Sequence, residues 1–195
     1  MRAGRFGLAV SLGVVGFLSV SAEVSFPSRL TAADAGRQFV GAADGSTRWA
    51  ADEPRQLEID GADGVRFENI AFSNVSVVVV SAKGVVFQNC RMTGNSDWAI
   101  WFQDGAQSNV VRYCEIAGPG GIRLGGGASS AASAASAANE IVDTTIVQHG
   151  RPGGAGVWIG RTSGGNRLVH NDISGAFGVG ISVDASVQNL IEGNL

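Results

Sequence analysis

A chain of 195 residues is long enough for one domain with a real core and too short for two large ones. A hydrophobic share of 45%, a charged share of 16% and 29 glycines against 4 prolines exclude a charged disordered tail and a collagen-like repeat, and predict a backbone that turns often. The net charge of −3, with scattered arginines and Lys83 as the only lysine, leaves no basic stripe for phosphates, so no nucleic-acid partner is expected.

Residues 1–22 read as an export signal. Arg2 and Arg5 give the positive start, Gly7 to Val20 the apolar run, and Val20-Ser21-Ala22 a small-residue cleavage site. The apolar run is shorter than the roughly 18 to 20 residues of a spanning helix, and no later segment is long and apolar enough, so a secreted or periplasmic protein with no membrane partner after cleavage is expected. Residues 23–56 show no clear repeat and are assigned to an N-terminal cap or linker.

From residue 57 to 195 one template recurs: an apolar residue, two variable ones, a small or polar one, one variable, then an apolar one. It occurs at Phe67/Ile70/Phe72, Phe87/Cys90/Met92, Val111/Cys114/Ile116, Ile141/Thr144/Ile146 and Leu168/Asn171/Ile173, and a sixth copy begins at Ile191/Asn194. First positions are spaced by 20, 24, 30, 27 and 23 residues, the period of solenoid coils with loop insertions. Each coil carries a second run with period two: Ala99-Ile100-Trp101-Phe102, Gly121-Ile122-Arg123-Leu124, Gly156-Val157-Trp158-Ile159 and Gly180-Ile181-Ser182-Val183. Alternation turns the aliphatic residues and Phe102 inward, and Trp101, Arg123, Trp158 and Ser182 outward. One coil cannot bury its apolar face alone, so the predicted fold is an all-β parallel β-helix of about six coils stacked roughly 4.8 Å apart. A helical repeat is disfavoured by the missing i, i+3, i+4 spacing and the many glycines.

Stacking predicts polar columns. Asn171 and Asn194 should lie above one another at a bend, while Gly64, Asn109, Asn139, Asn166 and Asn189 read as turn residues with positive φ. Cys90 and Cys114 share a template position about 5 Å apart, close enough for a disulfide, although two stacked core thiols are the simpler reading. The segment from Gly125 to Ala138 reads as a loop without chemistry. His149 and His170 are too few for a metal site, and neither metal nor cofactor is expected.

The stretch from Gly64 to Leu195 resembles the right-handed β-helix repeat proteins of bacteria. The run from His149-Gly150-Arg151-Pro152 to Gly156-Val157-Trp158-Ile159-Gly160, followed by Asn166 to Ile173 and Gly180 to Val183, is similar to a subgroup of secreted β-helix glycoside hydrolases. That resemblance implies a polysaccharide or oligosaccharide lying along the outer face that carries Trp101, Arg123, Trp158 and Ser182, with Arg151 and Arg161 beside it. Hydrolysis generally needs two carboxyl groups about 5 to 9.5 Å apart. Asp97, Asp104 and Asp184 are the candidate acids, with His149 a candidate for proton transfer or substrate contact. Three coils part Asp97 from Asp184, roughly 14 Å, which leaves as closer combinations Asp97 with Asp104, on opposite ends of one strand, or Asp184 with a residue from coils that this sequence lacks. Alternatives are a polysaccharide lyase or uronate epimerase, for which Arg123 alone is thin support, and a non-enzymatic surface or adhesion solenoid. The chain stops within a coil, so a truncated C-terminus is expected, with a monomer as the full-length form.

Overall fold

The computed structural model describes residues 27–126, 135–148, 154–161, 163–175 and 178–195, which form a parallel β-solenoid. Its only helical element among them is a single 3-10 turn, Ala32–Asp34. Three faces make each coil. The first is a seven-stranded sheet of three-residue strands: Gln38–Val40, Arg66–Glu68, Val86–Gln88, Val110–Arg112, Glu140–Val142, Arg167–Val169 and Leu190–Glu192. The second and third faces belong to one larger sheet folded along a bend. In the early coils a single strand spans both faces, Arg48–Asp60 and then Ala71–Val80. Later coils break it in two, as in Glu115–Gly118 with Gly120–Leu124 and Thr145–Gln148 with Ala155–Ile159.

The register follows the sequence template. Phe67, Phe87, Val111, Ile141, Leu168 and Ile191 are successive partners on the first face. Phe72, Met92, Ile116, Ile146 and Ile173 are partners on the second. Ile100, Ile122, Val157 and Ile181 are partners on the third. These residues are buried up to Leu168, and the side chains that alternate with them point outward, as period two requires.

The solenoid begins before residue 57. Phe39 pairs in register with Phe67, and Trp49 with Phe72, so residues 38–60 already form a coil where a cap or linker was expected. The alternation that would have revealed it is interrupted: the register shifts between Ala50 and Arg55, and residues 51–54 stand opposite the single residue Asn74. Such a bulge carries side chains out of phase.

The interior changes character along the axis. Phe39, Phe67 and Phe87 stack with ring centroids 5.1 Å apart and nearly parallel planes. Further on, Asn109 donates its amide to Asn139 at 2.9 Å, Asn139 to Asn166 at 3.2 Å and Asn166 to Asn189 at 3.0 Å. Each Oδ1 also accepts the backbone N–H of the preceding coil, as in Asn109 N to Asn139 Oδ1 at 3.1 Å. These asparagines are therefore core ladder residues. The positive φ belongs to the residues just before them, Ser108, Ala138, Gly165 and Gln188, while Gly64 does have the positive φ expected of it. A second ladder runs from Asn171 to Asn194 at 2.8 Å, as the spacing predicts. Buried amides joined in this way leave few costly unpaired groups.

Cys90 and Cys114 are buried free thiols in the same column. Cys114 donates to the carbonyl of Arg112 at 3.3 Å, and its hydrogen bond with Cys90, together with burial, holds its thiol well above the ordinary value.

Candidate functional site: an arginine between two indoles

On the third face Val78, Trp101, Arg123, Trp158 and Ser182 are direct lateral partners across five successive strands. The coil spacing puts the two tryptophans two strands apart, roughly 9.6 Å, which is the gap a planar cation fills. The Arg123 guanidinium lies 4.3 Å from the Trp101 ring centre and 4.6 Å from that of Trp158. Each indole thus has one face covered by the cation.

Backbone carbonyls fix the stack. Trp101 Nε1 donates to Gly125 O at 3.0 Å, and the Arg123 guanidinium donates to Gly126 O at 2.7 Å. The Trp158 ring rests on Gly126 and Gly160, where an added Cβ would meet ring carbons at 2.8 and 2.2 Å. Burial lowers the Arg123 pKa, against the pull of the Asp97 charge, and leaves its Nε enclosed without a hydrogen-bond partner.

Two clefts flank the stack. One, of about 350 Å³, is bounded by Trp98, Pro119, Gly120, Arg123, Trp158 and Ser182. The other, of about 290 Å³, is bounded by Arg55, Gln56, Val78, Asp97, Trp98 and Trp101. Their sizes lie at the lower end of small-ligand sites. Buried amides support the bend between them: Asn95 Nδ2 donates to Asp97 O at 2.8 Å and to Gly120 O at 3.2 Å, and Gln148 Nε2 donates to Pro119 O at 3.3 Å.

The predicted residues do not all converge. Trp101, Arg123, Trp158 and Ser182 share one row, and Asp97 lies at the edge of the second cleft. Asp104 sits beyond the far end of the Trp98–Gln103 strand, in a positive-φ turn where its carbonyl accepts from Ser81 Oγ at 2.8 Å. Asp184 faces Arg161 across 3.7 Å at that same far edge, and neither lines either of these two clefts. His149 and Arg151 lie outside the described residues. The six-residue strand between Asp97 and Asp104 holds them roughly 20 Å apart, and three coils separate Asp104 from Asp184 by about 14 Å. Neither separation fits the two-carboxyl geometry of a glycosidase.

Trp98 is the aromatic that sequence reasoning missed. Strict alternation groups it with inward-facing Ile100 and Phe102, but the bend next to it turns the ring toward both clefts. Arg55 and Gln56 were missed because they follow the bulge. Among the described residues no group of three or more His, Cys, Asp or Glu side chains is placed to hold a metal ion, and no helix is long and apolar enough to cross a membrane.

Residues 50–195 match the family model for the right-handed beta helix region. No curated protein matches the chain. Among solved structures it is similar to an alginate lyase from Paenibacillus sp. str. FPU-7, with 12% identity and a TM-score of 0.36 over 84% of this chain and 68% of that one. It is also similar to a protein described as a glycoside hydrolase, with 14% identity and a TM-score of 0.34 over 73% of this chain and 38% of that one. At that level of likeness, a site has to be read from this chain's own residues.

Proposed function

This chain belongs to the right-handed β-helix family, and on that scaffold we propose an exported carbohydrate-binding protein that holds a polysaccharide against its third face. The observation that carries the reading is the Trp101–Arg123–Trp158 stack with an open cleft beside it. Half-buried indoles offer apolar surface to the C–H faces of sugar rings, while the guanidinium and the Ser182 hydroxyl offer donors to ring hydroxyls or a carboxylate. Glycines and alanine along the cleft floor leave room for a ring to approach the backbone. Export is the part of the proposal that rests on residues 1–22, which lie outside the described residues.

Titration calorimetry with hexamers of β-1,4-glucan, β-1,4-mannan and α-1,4-galacturonan tests it. At least one should bind, and Trp158→Ala should weaken that binding about tenfold or more while leaving the circular dichroism of the β-helix unchanged. No binding by any hexamer, or binding indifferent to Trp158→Ala, would remove the site.

Hydrolysis is a second reading, favoured by one observation: Asp97 borders a cleft on the face that would hold the glycan. It predicts release of reducing ends that Asp97→Asn abolishes while binding persists. Neither Asp104 nor Asp184 gives Asp97 a second carboxyl at about 5 to 9.5 Å, so binding is the function the geometry supports best.

A further inference from the structure

Resting on that glycan-binding reading, we propose that the cleft between the bulge at residues 51–54 and Trp101 is a second subsite, built for an uncharged pyranose of the same polysaccharide chain. Three observations meet there. Trp101 gives one face to Arg123 and lines the second cleft, where Trp98 joins it as a second aromatic wall. Val78 closes the floor, and the half-buried rings of Trp98 and Trp101 supply the apolar surface that a sugar ring would cover. The opposite wall exists because four residues face the single residue Asn74, whose Nδ2 donates to Ala51 O at 2.8 Å and ties the bulge in place. Bulges of this kind re-aim side chains beside functional sites.

The two clefts differ in charge. The larger cleft has Arg123 as the one charged side chain among its described lining, whereas the second holds Arg55 and Asp97, of opposite sign. With Gln56 and Ser76 beside them, that pair supplies donors and acceptors to vicinal hydroxyls and no net attraction for an anion. Trp98 lines both clefts. The rows of Val78 and Ser182, at the outer edges of the two clefts, are four strand spacings apart, roughly 19 Å, so the clefts together span more than a disaccharide. A chain that fills both clefts is therefore longer than a disaccharide and passes Trp98, the residue the clefts share, so affinity should climb with chain length.

The experiment is a length series, from dimer to hexamer, of β-1,4-glucan, β-1,4-mannan and α-1,4-galacturonan, titrated into the full chain. For a neutral glycan the affinity should rise about tenfold or more between trimer and hexamer as the second subsite fills. Ser96 also lines this cleft from an exposed bend, so Ser96→Trp, which fills it, and Arg55→Ala should each return the hexamer to trimer affinity and leave the trimer unchanged, with circular dichroism as the folding control. A flat length series, or a hexamer indifferent to both variants, overturns the second subsite while trimer binding keeps the first. A length gain confined to galacturonan overturns the uncharged assignment. Absence of binding by every oligomer overturns this proposal together with the reading on which it rests.

Discussion

The two halves of this solenoid share the coil and an apolar core but differ in the inner columns that line its bends. Toward the N-terminus the inner columns are Ala62 and Ala82, Val65 and Val85, with Phe39, Phe67 and Phe87 stacked between them. Toward the C-terminus the equivalent columns become Ser136, Ser163 and Ser186, then Asn109, Asn139, Asn166 and Asn189, while the rings give way to Val111, Ile141 and Leu168. The first half is held by apolar area and dispersion, which tolerate small shifts of position. The second half adds directional hydrogen bonds in series, in which each amide completes the one before it. One coil geometry therefore accepts two chemistries, and they should fail in different ways.

The largest expected effect is in the aromatic half. Phe67→Ala removes the middle ring of the stack and should cost about 4 kcal/mol, read as a fall in the urea midpoint. Next comes the ladder. Asn139→Val leaves Asn109 N without its acceptor and Asn109 Nδ2 with Ala82 O alone, and should cost about 3 kcal/mol. Asn109→Val should cost less, about 1 to 2 kcal/mol, because it moves the valine column one coil further and strips an acceptor only from Val85 N. Equal losses at the two asparagines would mean that the amides act as separate pairs and not as a series.

Arg123→Met sharpens the contrast from outside, since it removes two cation–π contacts without touching either interior. Stability should fall by about 1 kcal/mol while glycan affinity falls further. The smallest effect belongs to Asp34 in the 3-10 turn, which accepts from Thr31 N at 2.9 Å and from Arg37 at 2.6 Å. Those bonds, the Thr31 backbone N–H first, hold its carboxyl below the usual carboxylate range. A lowered folded pKa gives stability that is present above the unfolded value of about 4 and lost as pH falls through the folded one. Asp34→Ala should thus cost at most about 0.5 kcal/mol at neutral pH, after solvent screening, and nothing in strong acid.

Much of the fold was legible because each coil repeats the same demand. Phe67, Phe87 and Val111 recur at one template position since each must cover the same cross-section, and Ile100, Ile122 and Val157 alternate with outward residues since strands have period two. The first coil was hidden by the bulge, and the ladder role of Asn109, Asn139 and Asn166 by its likeness to turn chemistry one residue earlier. At the site, the row of Trp101, Arg123, Trp158 and Ser182 followed from register alone. Trp98, Arg55 and Gln56 did not, because a bend and a bulge break the alternation that would have announced them.

The sequence by itself determined the coil, its period and which side chains face out, because these depend on local periodicity and on the need to bury one face of every strand. Only the tertiary structure decided that the outward row packs as a stack and which residues from bends and bulges join it. The guanidinium sits between two indoles because stacking places residues 101, 123 and 158 in one row, whereas Asp97 and Asp104 stay apart at the two ends of one strand and Asp184 three coils further on. Contacts between coils depend on loop lengths and bends that no period encodes.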